Sequence, residues 1–180
     1  MDAFAKEPVK GYRGFVELNA DIGWVSNPYY VSNSGSPNSL RYENETFCLY
    51  GISTSHGFQF NSHWFIGAGV WIQSNTNQIP SNIHLSVPVF IHGRTDWTFG
   101  KVPLYADLRI GGTISGSSTR YGRDKVFVTP TIGYHFDWGR RVSANIGIGI
   151  SLHGYDRYGD KGSLDFKWLS MPSVKIGIEF

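Results

Sequence analysis

Every even position from Tyr12 to Trp24 is apolar or small: Tyr12, Gly14, Val16, Leu18, Ala20, Ile22 and Trp24. The odd positions between them carry Arg13, Glu17, Asn19 and Asp21. A period of two sends alternate side chains to opposite faces of an extended strand. The same beat returns along almost the whole chain. Trp64, Ile66, Ala68, Val70 and Ile72 form a second stripe, and Ile83, Leu85, Val87, Val89 and Ile91 a third. Further stripes run from Val102 to Ile110, from Val126 to Phe136, from Val142 to Leu152 and from Trp168 to Phe180. No stretch shows a convincing helical period. Runs of roughly 10–13 residues exceed the usual 5–6 of a globular strand and suit tilted strands that cross a bilayer.

One more strand lies over Glu45 to Ser55, where Phe47/Leu49 and Cys48/Tyr50/Ile52 compete for the apolar face. Its register stays open, and the strand total is eight. The connections fall into two sets. Ser26–Tyr42, Gln73–Ser81, Ser115–Lys125 and Gly154–Phe166 are polar and mostly long, whereas Gly57–Ser62 and Asp137–Arg140 are short. Gly93–Lys101 belongs to the short set by position but is as long as Gln73–Ser81. Long connections at one end and short ones at the other suit an up-and-down meander with both termini at the short end. At 180 residues one domain suffices, an N-terminal extension over 1–10 followed by a barrel over 11–180.

Composition narrows the class. Charged residues are 17%, hydrophobic residues 41% and glycines 22 in number. That excludes intrinsic disorder and disfavours a helical bundle. A net charge of +2 gives no electrostatic footprint for nucleic acid. The single cysteine, Cys48, allows no internal disulfide. No run of 18 apolar residues supplies a transmembrane helix. The mean hydropathy of -0.22 suggests a soluble chain, yet alternating membrane strands average to such a value.

Two closed barrels fit the alternation. A soluble lipocalin-like ligand-binding barrel points its apolar stripes inward; a membrane barrel points them outward. Three features favour outward. The seven assigned stripes contain no Asp, Glu, Lys or Arg, although a well-made core also excludes charge. Glycine gathers on the polar face at Gly23, Gly67, Gly69, Gly111, Gly133, Gly147, Gly149 and Gly177, where a narrow interior needs room for large neighbours. Aromatic residues gather at stripe ends, as Tyr12, Trp24, Trp64, Tyr134, Phe136, Trp168 and Phe180. Rings of this kind form girdles at the two interfaces of a membrane. The predicted fold is therefore an all-β, eight-stranded antiparallel up-and-down transmembrane β-barrel.

The chain ends Met171-Pro-Ser-Val-Lys-Ile-Gly-Ile-Glu-Phe180, which resembles the terminal assembly signal of bacterial outer-membrane barrels. Gly57-Phe-Gln-Phe-Asn61 with Trp64-Phe-Ile-Gly-Ala-Gly-Val70 resembles the porin-like outer-membrane β-barrel domain family. So do Pro103-Leu-Tyr-Ala-Asp-Leu-Arg-Ile-Gly-Gly112 and Pro130-Thr-Ile-Gly-Tyr-His-Phe136. The architecture is similar to the OmpA-type and OmpX-type barrels. The resemblance implies residence in the outer membrane of a Gram-negative bacterium, contact with lipid and lipopolysaccharide, and recognition of Phe180 by the barrel-assembly machinery. It also implies export with a cleaved signal peptide, and Met1–Glu7 holds no hydrophobic signal region. It is barely specific for activity.

The polar face carries Arg13, Glu17, Asp21, Asp107, Arg109, Lys175 and Glu179. Closure makes the first and last strands neighbours, so Arg13 and Glu17 can approach Glu179 and Lys175. Such charges either gate a narrow ion path or pair into a plug, and eight strands leave a lumen that side chains largely fill. No histidine pair has zinc-motif spacing, so no metal is expected, nor any other cofactor. His84 and His153 lie near the long-loop rim with Ser86 and Ser151 two positions away. Some small outer-membrane barrels modify lipid A acyl chains with Ser or His at that rim; the plainer reading is hydrogen-bonding lumen residues. In the loops, Arg120, Arg123 and Lys125 can meet glycolipid phosphates or simply be solvated. The expected role is non-enzymatic: structural, adhesive or interactive through surface loops that can hold a protein partner.

Overall fold

A computed structural model of the chain describes residues 10–31, 39–76, 84–116, 123–137, 142–158 and 164–180. Its regular structure is strand throughout: β1 (Gly11–Val31), β2 (Ser39–Gln59), β3 (Trp64–Thr76), β4 (His84–Phe99), β5 (Val102–Gly116), β6 (Arg123–Asp137), β7 (Ser143–Tyr158) and β8 (Leu164–Glu179). Each strand pairs antiparallel with the next, and β8 returns to β1, so the sheet closes as an up-and-down barrel. Closure leaves no free sheet edge over the paired region. The backbone of Phe180 completes the seam, with Gly14 N donating to Phe180 O at 2.8 Å and Phe180 N to Gly14 O at 3.0 Å.

The strands are longer than the alternation predicts, from 13 residues in β3 to 21 in β1 and β2. The expected connection Ser26–Tyr42 is mostly hairpin ladder, paired down to Val31↔Ser39. Backbone pairing does not require apolar side chains, so it continues where the stripe has ended. At the other end, Gly93–Lys101 is not a long connection. β4 runs to Phe99, β5 starts at Val102, and Gly100 makes the turn at φ +65, a left-handed conformation that suits glycine.

Side chains sort as a membrane barrel requires. Leu18, Ile52, Ile66, Ile91, Ile110, Ile132, Ile148 and Ile176 face out, while Glu17, Asp107, Arg109 and Lys175 are buried inside. The open register of β2 resolves in the same way, because Leu49 is 5% exposed but Tyr50 43% and Ile52 47%. Of the outward stripes, Ile83 lies outside the described residues. Tyr12, Trp24, Trp64, Trp168 and Phe180 are exposed, Tyr134 partly so. Tyr12 and Trp24 stand at opposite ends of one stripe, and twelve residues at about 3.3 Å each, tilted about 45°, span about 28 Å of height. That matches the apolar band of roughly 25 Å on outer-membrane barrels.

The inward glycines make space. A Cβ on Gly147 would lie 2.4 Å from the Tyr105 hydroxyl, one on Gly69 2.5 Å from the Phe90 ring, and one on Gly177 2.3 Å from Glu17 Cγ. Three prolines mark breaks in the ladder, since proline offers no N–H to a neighbour. Pairing of β3 with β4 skips from Val70↔Val89 to Gln73↔Ser86 around Pro88. That of β6 with β7 skips from Val128↔Leu152 to Thr131↔Gly149 around Pro130. β1 and β8 pair only as far as Asp21↔Ser173, one residue before Pro172.

Candidate functional site

The interior is a stack of three polar clusters with aromatic rings between them. The lowest, near the short turns, joins β1, β4 and β8. Arg13 donates to Asp96 at 2.5 Å and to Glu179 at 2.9 Å, and Arg94 lies 2.8 Å from Asp96 and 3.0 Å from Glu179. Two guanidiniums and two carboxylates thus close a ring of four ion pairs, three of them also charge-assisted hydrogen bonds. Gln59 accepts a further bond from Arg13 at 2.8 Å.

Tyr105 lies above this ring. The Arg94 guanidinium sits 3.9 Å from the centre of its ring, and the Lys175 ammonium lies 5.3 Å from the same ring. Both distances are within reach of a cation–π attraction. Phe15, Phe65 and His92 pack edge to face beside it, with centroids 5.0 to 5.3 Å apart.

The middle cluster joins β1, β4, β5 and β8. Arg109 donates to Glu17 and Lys175 donates to Asp107, both in close contact. Lys175 also lies 3.8 Å from Glu17, and His92 Nε2 3.6 Å from Asp107. Asn19 and Ser53 accept from Arg109 at 3.1 and 3.3 Å. Trp71, Phe90 and Phe127 cover this cluster as an aromatic layer. The highest cluster holds Asp21, Thr129, Ser151 and His153. Ser151 Oγ is 2.9 Å from His153 Nε2 and 2.7 Å from Thr129 Oγ1, and Asp21 lies 3.6 Å from His153 Nε2.

Among the sequence-expected lumen residues, the structure thus brings Arg13 to Glu179 and Arg109 to Glu17. Lys175 meets Asp107, and Asp21 stands apart beside His153. The sequence reading omits Arg94 and Asp96 from the network, because it assigns them to a turn. They stand on the inward face of β4, in line with His92 and Phe90. The alternation of Phe90, His92, Arg94 and Asp96 against Ile91, Gly93 and Thr95 carried the missing signal.

A cavity of about 10 Å³ touches Asn19, Asp21, Arg109, Thr131 and Lys175, room for about one water. Ser151 and His153 are buried next to its lining residues Thr129 and Asp21. The ring of Phe127 stacks on His153 at 5.8 Å. No group of three or more His, Cys, Asp or Glu among the described residues has metal-binding geometry. The side chain of His84 lies outside the described residues, as do Arg120 and the side chain of Arg123; Lys125 is exposed at the start of β6.

No protein-family model matches the chain, and no curated protein sequence matches it. Among solved structures, the solid-state NMR structure of outer membrane protein AlkL in DMPC lipid bilayers is similar to it. The likeness covers 100% of this chain and 94% of that one, at a TM-score of 0.53 and 11% identity. Identity that low carries the fold alone: this chain has the eight-stranded antiparallel barrel fold of an outer-membrane protein. The finer resemblance to OmpA-type and OmpX-type barrels has no matching family model behind it.

Proposed function

We propose that the chain is an outer-membrane β-barrel of a Gram-negative bacterium that serves a structural or interactive role and conducts little or nothing through its lumen. The observation that carries this reading is the pairing of interior charge. Four cations, Arg13, Arg94, Arg109 and Lys175, lie against the four carboxylates Glu17, Asp96, Asp107 and Glu179 across the barrel interior. Breaking such pairs to open a path costs several kcal/mol. The belt of outward Ile, Leu and Val supports residence in lipid, because a soluble protein rarely exposes a continuous apolar patch of that extent.

The part available for recognition is then the paired hairpin beyond the girdle, where β1 and β2 continue to Val31 and Ser39. An adhesive or docking role would use this end, with lipopolysaccharide or a protein as the partner. Arg123 and Lys125 belong to the same end and are candidate phosphate contacts. A lipid A acyl-modifying activity draws less support, because Ser151 and His153 are buried on the inward face, away from the lipid. Phe180, tied into the seam by its backbone, is the proposed contact for the assembly machinery.

Planar-bilayer recording tests the closed lumen. The expected result is a flat trace, with no steps above baseline after insertion verified by heat-modifiable gel migration. Regular conductance steps that vanish when Arg94 and Asp96 are altered would show a path through the plug.

A further inference from the structure

Between the two girdles, no described Asp, Glu, Lys or Arg faces outward, and His56 is the one histidine that does. A titratable side chain on the lipid face is costly unless partnered, which makes it a functional candidate. His56 has partners at both nitrogens. The Tyr12 hydroxyl is 2.5 Å from Nδ1 and the Thr54 hydroxyl 2.8 Å from Nε2. Thr54 in turn donates to the Phe15 carbonyl at 3.1 Å. The Phe180 ring packs edge-on to the imidazole at 6.2 Å, in the space that Gly14 leaves open. The trio is therefore fixed at the barrel's closing seam.

The outward face beside it is depressed. A shallow groove, open to the outside along most of its extent and of about 610 Å³, crosses β2 to β5. Its floor is low where Ala68 and Gly112 stand among Val70, Val89, Ile91 and Ile110. Thr54 and His56 form one end. The groove thus has a polar end near the Tyr12 girdle and apolar walls running into the belt.

We propose that this groove binds one glycerophospholipid of the membrane leaflet at the short-turn end, with an acyl chain along Ala68 and Gly112 and an ester or phosphate oxygen at Tyr12. The inference rests on the reading of the belt as membrane-facing. The hydrogen-bond chain has two directions. With Thr54 donating to Phe15, His56 Nε2–H donates to Thr54 and Nδ1 accepts from Tyr12. In the reverse direction Thr54 donates to Nε2, Nδ1–H donates to the Tyr12 oxygen, and the Tyr12 proton points away from the barrel. That tautomer exchange gives an incoming oxygen its donor while each ring nitrogen keeps a partner. An amphiphile with one oxygen-rich end and a long tail matches this arrangement. An extended protein segment does not, because its backbone groups would find no partners on an apolar wall.

Native mass spectrometry of the full chain, refolded in micelles and titrated with dipalmitoyl phosphatidylethanolamine, tests the proposal. One adduct per barrel is expected, saturating and surviving removal of detergent. Ala68→Phe fills the groove and should lower its occupancy at least tenfold, with Ala68→Leu as the milder filler if the first variant loses heat-modifiable migration. The double variant Tyr12→Phe, His56→Leu should lower it at least threefold. Adducts that accumulate without a plateau, or equal occupancy in all variants, would overturn the proposal. A detergent-resistant dimer lost in Ala68→Phe would do so too, by giving the groove to a second copy. Failure of the membrane reading itself looks different: the chain would be a monodisperse monomer without detergent.

Discussion

Replacing Glu17 with Gln is expected to destabilise the barrel by about 3–5 kcal/mol, the usual consequence of leaving a buried cation unpaired. Glu17 accepts from Arg109, lies 3.8 Å from Lys175, and is itself buried. Without that charge, Arg109 meets only neutral oxygens, those of Asn19 and Ser53 and of the substituted amide. Asp107 already serves Lys175 and cannot neutralise both cations. Urea unfolding in lipid vesicles, followed by tryptophan fluorescence, measures the loss. Removing the partner as well, in Glu17→Leu with Arg109→Met, should recover most of it, because an apolar pair of similar volume is often as stable as a buried ion pair. A loss below about 1 kcal/mol for the single change would match an exposed pair rather than a sealed one.

The second large effect is on the outer surface. Ile148 stands near the middle of the apolar stripe from Val142 to Leu152 and is 63% exposed. Ile148→Arg should cost about 2–4 kcal/mol in vesicles, the depth-dependent penalty for a cation on the lipid face. On a water-facing surface the same change would fall within about 0.5 kcal/mol. A variant as stable as the parent would therefore place Ile148 in water.

Much of this fold was legible because a barrel wall writes itself into a chain as strict alternation. Where the alternation was clean, as in Val142 to Leu152, the face assignment followed from it. β2 was ambiguous because Leu49 puts an apolar residue on the inward face too, where it packs against Met171. Arg94 and Asp96 were hidden by composition: Gly93, Arg94, Thr95 and Asp96 read as turn residues, although a two-residue turn suffices beyond Phe99. Pairing across the lumen was legible only where closure brings β1 and β8 together. Contacts such as Arg109 with Glu17 depend on barrel diameter and stagger, which one strand's pattern does not contain. The outward trio of Tyr12, His56 and Thr54 escaped notice because it needed both the register of β2 and its pairing with β1.

Spin-label accessibility tests the orientation most directly. With Cys48→Ser as background, labels at Ile91→Cys and Ile148→Cys in vesicle-inserted protein should collide freely with oxygen and hardly at all with a water-soluble nickel complex. The reverse pattern, nickel access at both positions in a folded barrel, would mean that the isoleucine belt meets water.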